Sequence, residues 1–331
     1  MARISTAEYP DFVSNANILW RKGFERIPLV AKSLYDVIEN KLSTTTHSSL
    51  DGFTFARRKE EGDTYFQENP TQNYSKTLTK YRIGLQDSVT WEMRTYDRYR
   101  EINRVLMSLG ESAARRLELD LTMRFTFATA ASYTDQDGVS ITTTVGDTLA
   151  LGSTAHTVRG SSTTFRNIIA NNPVLSKGGL EAAEALFAQQ MINSSGVIVT
   201  PHPDTLVVAN DPATINTARE LMQSSADITT NNSAIVNVYK GKYQILVLDY
   251  LAKSALGARD STKEKRWFLV DKAHTDAVLE ISEQPHLVSP QPGSNSEAFE
   301  TDDWLFKCSA AYGLEVTDPK WLVVSLGDGT A

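Results

Sequence analysis

Cysteine is nearly absent: Cys308 is the one thiol in 331 residues. No disulfide can form within the chain, which agrees with folding in a reducing cytoplasm. Long apolar runs are missing too. A stretch such as Ile245 to Leu248 is far too short to span a bilayer, so no membrane association is expected. The opening Met1-Ala2-Arg3-Ile4-Ser5-Thr6-Ala7-Glu8 has no apolar h-region and does not read as a signal peptide. Basic residues are outnumbered, 33 against 40 acidic, for a net charge of −7. An acidic chain is poorly suited to gripping nucleic acid, which needs clustered Lys and Arg, though it can surround it.

Catalytic signatures are scarce as well. The five histidines, His47, His156, His202, His274 and His286, are scattered with no i,i+4 pair and no H-E-x-x-H, so no metal is expected. There is no G-x-S-x-G elbow and no phosphate-cradling glycine loop, so no nucleotide cofactor is expected. Asp135-Gln136-Asp137-Gly138 lacks the further acidic positions of a calcium loop and reads as a turn. Pro201-His202-Pro203-Asp204 reads as a stiff turn. Cys308 sits in a strand with Lys307 on the opposite face, so it is expected to pack rather than react.

What is present is a globular composition, 41% hydrophobic and 22% charged, in a chain long enough to bury a sizeable core. Residues 1–50 read as an extended arm with short helices, one of them around Leu34, Tyr35, Val37 and Ile38. Arg21, Lys22 and Arg26 make a small basic spot on this arm. Residues 51–92 read as a projecting hairpin. The charge run Arg57-Arg58-Lys59-Glu60-Glu61 precedes Gly62, and the strand-like stretch Tyr74 to Leu85 carries Lys76, Lys80 and Arg82 with no clear core face. Isolated hairpins are marginal in water, so this one is expected to lie on a neighbour. Together, residues 1–92 are expected to lack a private core.

Ile102, Val105, Leu106, Leu109, Ala113, Ala114, Leu117, Leu121 and Phe125 follow helical spacing, with Gly110 a possible kink. A continuous helix from Tyr96 to Ala130 would be a beam of roughly 50 Å. From residue 136 to 280 an α/β pattern follows. Ser176 and Asp211-Pro212 open two helices, and strands are expected at 197–199, 206–208, 243–248 and 267–270. Residues 281–331 hold a Pro/Ser/Asn-rich loop, Ser289 to Ser296, then strands at Trp304–Cys308, Tyr312–Val316 and Trp321–Leu326.

Four local motifs occur in an order that resembles the HK97-fold major capsid proteins of tailed phages, of the Mu-like prophage head-subunit type. Leu109-Gly110-Glu111-Ser112-Ala113-Ala114-Arg115 resembles that family's start of the spine helix. Pro173 to Ala183, with its P-V-L-S and L-E-A-A, resembles the start of an A-domain helix. Pro203-Asp204-Thr205-Leu206-Val207-Val208 resembles a following strand, and Trp304 to Gly313 a late aromatic strand ending in Y-G.

The resemblance implies an α+β fold: N-arm (1–50), β-hairpin E-loop (51–92), P domain with spine helix (93–135), A domain (136–280) and a P-domain return (281–331). The final strand is left open between the two domains. It implies a non-enzymatic head protein forming pentamers and hexamers of an icosahedral shell in the host cytoplasm. Double-stranded DNA would lie inside without sequence-specific contact. Because the arm starts almost at Met1, a scaffolding protein would be separate; portal and decoration proteins are further implied partners. The inter-subunit residues implied on the E-loop and arm are Arg57, Arg58, Lys59, Glu60, Glu61, Tyr74, Lys76, Arg82, Arg21 and Arg26. Lys59, Lys76 and Lys80 match no crosslinking motif, so no covalent chemistry is expected. The alternatives are an encapsulin-like compartment shell and, from another class, an α/β hydrolase-like enzyme.

Overall fold

The computed structural model describes residues 8–50, 53–69, 72–96, 99–226, 236–289 and 303–329. Helix α1 (Glu8–Glu25) is followed by a 3-10 turn (Ala31–Leu34), then strands β1 (Asp36–Glu39), β2 (Thr44–Leu50), β3 (Gln72–Thr79) and β4 (Tyr81–Val89). Helices α2 (Trp91–Thr95) and α3 (Tyr99–Thr126) come next. Four short strands pair as two small hairpins, β5 (Ser132–Thr134) with β6 (Ser140–Thr142) and β7 (His156–Thr157) with β8 (Thr164–Phe165). The α/β part contains α4 (Lys177–Gln189), β9 (Thr205–Ala209), α5 (Pro212–Gln223), β10 (Gln244–Leu248) and β11 (Trp267–Val270). The chain closes with β12 (Ala277–Val288), β13 (Trp304–Val316) and β14 (Leu322–Ser325).

Two four-stranded sheets organise these elements, in the orders β1-β12-β13-β4 and β10-β9-β11-β14. The second is the α/β lobe. Its strands β9 and β11 are buried on both faces, as the apolar runs 206–209 and 267–270 require. The helix caps form where the sequence places them. Ser176 Oγ accepts from Gly179 N at 3.1 Å, and Asp211 Oδ2 from Thr214 N at 3.0 Å. The last strand, β14, pairs with β11, so the chain ends its fold in the α/β lobe.

Several local expectations are corrected. The helix expected at residues 34–38 is the 3-10 turn followed by β1, which runs parallel to β12 with Asp36 opposite Val278. The single strand expected from Tyr74 to Leu85 breaks at Lys80: β3 pairs with β2, whereas β4 joins the first sheet against β13. At the break the Lys80 ammonium turns inward to Glu280. The hairpin partner β2 comes from the Ser/Thr stretch of the arm, where β-branched Thr suits a pleated surface.

Val197 to Val199 forms no strand; only an isolated bridge joins Ile192 to Ile198. The two signals at 304–308 and 312–316 are one strand, β13. The return to the first sheet begins with β12 at Ala277, before residue 280. The loop Ser289 to Ser296 lies largely outside the described residues.

The spine helix α3 is 28 residues long, about 42 Å at 1.5 Å per residue. Leu109 to Arg115 lies within it and not at its start. Gly110 is a contact point, not a kink. A Cβ there would strike the Trp20 carbonyl oxygen of α1, and one at Gly23 would strike Met107. Ala16 and Trp20 are buried against Ile102, Leu106, Leu109 and Ala113, while Ala31, Leu34 and Tyr35 enter the main core. The expectation that residues 1–92 lack a private core is therefore overturned for α1, the 3-10 turn and β4. It remains apt for residues 53–69, which are coil and almost wholly exposed.

Candidate assembly interface

The projecting feature is the β2–β3 hairpin, and its root is tied down by charge. Lys80 Nζ lies 2.9 Å from Glu280 Oε2, with the two side chains 4% and 1% exposed. Glu280 also takes His47 Nε2 at 2.9 Å and the Thr45 hydroxyl at 3.0 Å. Burial alone would raise the Glu280 carboxyl, but the bonds from Lys80, Thr45 and His47 hold it below the usual range. Four residues before Lys80, Lys76 Nζ reaches Glu315 at 2.7 Å and the Thr144 carbonyl. Burial pulls the Lys76 ammonium down, against the pull of Glu315. Apolar contact completes the root. Leu78 is buried over Gly313, where a Cβ would strike Leu78 Cδ2. That is why the aromatic strand reads Tyr312-Gly313.

The far end is different. Leu50, Phe53, Phe55, Tyr65 and Phe66 are all exposed, Phe55 at 78% and Tyr65 at 84%. Arg57 lies over the Phe66 ring at 3.7 Å and Lys59 over the Tyr65 ring at 4.9 Å. These cations turn to the faces of the rings beside them. Arg58, Glu60 and Glu61 project into solvent. Large exposed apolar side chains grouped in one segment are a feature that interaction surfaces share. The aromatic residues were missed in the sequence, although four of them flank the charge run within fourteen residues of Phe53.

The remaining site residues divide. Tyr74 Oη contacts Thr157 Oγ1 at 3.0 Å, beside the hairpin root. Lys76, expected to face a neighbouring copy, instead closes an internal ion pair, because its strand position points to β13. Arg82 is exposed and reaches Glu283 at 3.2 Å. Arg21 pairs with Glu25 at 2.9 Å and Arg26 with Glu111 at 2.8 Å, so acids offset the basic spot on α1.

Other candidates for chemistry are absorbed by packing. Asp135 Oδ1 accepts from Asp137 N and Val139 N, closing the turn, and Arg116 bonds Asp135 and Asp137. Cys308 is buried with Phe306 and Leu287, and burial pushes its thiol up. Among the described residues, no group of three or more His, Cys, Asp or Glu is placed to hold a metal ion. No described helix is long and apolar enough to cross a membrane.

A family model described as phage capsid protein matches residues 73–325. Among solved structures, the virus-like particle from Pyrococcus furiosus is similar at a TM-score of 0.50 and 11% identity, covering 94% of this chain and 98% of that one. A Gordonia phage Cozz chain is similar at 0.50 and 9% identity, covering 89% and 85%. At such identities the likeness is one of fold. No curated protein matches the chain in sequence.

Proposed function

From a chain that belongs to the phage capsid protein family and has the HK97-like α+β fold, we infer how a major capsid protein builds its shell. The hairpin β2–β3 serves as the E-loop, the sheet β1-β12-β13-β4 with α3 as the P domain, and the α/β lobe as the A domain. Copies gather as pentamers and hexamers of an icosahedral shell around double-stranded DNA. A separate scaffolding protein, a portal and decoration proteins are the further partners of this reading. The chain works by contact, without catalysis, in a virion assembled in the host cytoplasm. The motif order favours kinship with the Mu-like head subunits.

One observation carries this: a limb held at its root by ion pairs ends in Leu50, Phe53, Phe55, Tyr65 and Phe66, which all stay exposed. Such a tip is stabilised by a second copy. Arg57, Arg58, Lys59, Glu60 and Glu61 then set its register on the neighbour, and Tyr74, Arg82, Arg21 and Arg26 add peripheral contacts. Many modest interfaces, each repeated by symmetry, sum to a stable shell.

Replacing residues 53–66 by a short Gly-Ser turn tests the reading. The variant is expected to fold and to stay as small oligomers in size-exclusion chromatography. Normal particles in electron micrographs would refute the role given to the hairpin. The encapsulin-like alternative draws on fold likeness to the Pyrococcus furiosus particle alone. A cargo enzyme in purified particles, in place of DNA, would favour it.

A further inference from the structure

His156 is completely buried, and both its ring nitrogens face oxygen atoms. Nδ1 lies 2.8 Å from Asp147 Oδ2 and Nε2 3.1 Å from Asn167 Oδ1. Neither oxygen can be exchanged for a donor. The Asn167 amide has one workable orientation: Oδ1 accepts from Ser153 N at 2.9 Å, while Nδ2 donates to the Leu151 carbonyl at 2.8 Å and the Pro319 carbonyl at 3.5 Å. Asp147 accepts on both oxygens, from Leu149 N at 3.0 Å and Thr157 N at 3.1 Å. A neutral imidazole has a single N–H and would leave one nitrogen lone pair against an oxygen lone pair in a dry site.

We propose that His156 carries protons on both nitrogens and that the chain Asp147–His156–Asn167 is the brace that sets the direction of the β2–β3 hairpin. Burial acts to raise the Asp147 carboxyl, but its bond to His156 and the backbone N–H groups of Leu149 and Thr157 hold it below the usual range. The other groups facing the brace are few. Phe165 stacks on the His156 ring at 5.1 Å, Lys320 lies 5.8 Å from that Phe165 ring, and the charge of Asp147 is felt at Lys76.

The brace joins two distant parts. At one end, Gly146 packs on the Tyr74 Cβ, Thr157 Oγ1 meets Tyr74 Oη at 3.0 Å, and Arg159 Nη1 donates to the Asn73 carbonyl at 3.2 Å. At the other, the Asn167 carbonyl accepts from Val324 N at 2.8 Å, in β14 of the α/β lobe. His156 is thus a positioning residue that couples the hairpin root to the lobe. The bearing of this coupling on shell geometry rests on the capsid reading; the brace itself does not.

Solid-state NMR of the sedimented full-length chain, with isotope-labelled histidine, tests the protonation at neutral pH. The signals that vanish in His156→Gln are expected to be two protonated nitrogens; one unprotonated nitrogen would overturn the proposal. Hydrogen exchange tests the brace. In His156→Gln, amides of residues 72–79 are expected to exchange about tenfold faster while those of 205–209 keep their protection. No change at 72–79, or equal loosening of both regions, would overturn it. If that variant does not fold, Tyr74→Phe cuts the same link at its outer end. It is expected to speed exchange at 72–79 and to leave the His156 spectrum intact; unaltered exchange there counts against the brace. Both readouts need no particles, so failure of the unaltered chain to form shells would overturn the capsid reading and leave the brace standing.

Discussion

Glu118 shows how a single buried group can dominate the pH response. It projects from α3 and is 2% exposed. Its Oε1 accepts from Ala31 N at 2.9 Å, capping the 3-10 turn, while Oε2 finds no partner among the described residues. Burial raises its pKa from 4.5 to about 7, against the lowering effect of the backbone N–H groups of Ala31 and Val30, and Asp249 adds to the rise. A folded-state carboxyl raised in this way binds a proton that the unfolded chain has released. Its stability contribution is therefore full below pH 4.5 and lost as pH climbs to about 7. Asp276, raised from 3.8 to about 6 by burial and by Asp318, acts in the same direction. Glu280 and Asp147, both depressed, contribute stability that is lost as pH falls toward acid. Denaturant titrations of Glu118→Gln are expected to flatten the decline between pH 4.5 and 7 by on the order of 2 kcal/mol. An unchanged slope would show that another group carries it.

The crossing of α1 over α3 is decided by two glycines. A mid-helix glycine costs about 1 kcal/mol relative to alanine, so Gly110→Ala ought to stabilise an isolated α3. In the folded chain the added methyl has nowhere to go, because the α1 backbone at Trp20 and Phe24 occupies its position. Gly110→Ala is expected to lift α1 away. Amide exchange in residues 15–25 should rise while that of β9 and β11 is unaltered, and a neutral result would mean that the helices can slide apart cheaply. The helical period of α3 and the caps at Ser176 and Asp211 were legible locally, since each depends on residues within a turn or two. The division of residues 72–89 between two sheets was not. The alternation of β3 and β4 looks continuous, and the inward turn of Lys80 depends on Glu280, far along the chain.

At the scale of the molecule, both sheets share one core. Leu117, Leu121 and Phe125 of α3 pack with Val207 and Phe268 of the α/β sheet and with Leu279 and Tyr312 of the other. Phe125 stands at the junction, edge-on to Tyr35 at 5.8 Å, Phe268 at 6.0 Å and Trp321 at 6.3 Å. Phe125→Ala opens a cavity there and is expected to cost about 3–5 kcal/mol. Because the cavity lies between the sheets, one cooperative transition should shift as a whole when followed by fluorescence and by circular dichroism. Two separated transitions would mean that the lobes unfold independently. The beam α3 thus links the sheet β1-β12-β13-β4 to the α/β lobe through packing.

By itself, the sequence determined the elements whose signals are local: the amphipathic spine, the capped helices, the all-apolar strands of the α/β lobe and the ordered motifs that mark the family. The tertiary structure alone decided that Asp36–Glu39 pairs with β12, that Lys76 and Lys80 turn inward, that glycine seats α1, and that aromatic rings crown the hairpin tip. The β1 pairing and the two lysine pairings join residues far apart in the chain. No local period reports which distant carboxylate a lysine will meet.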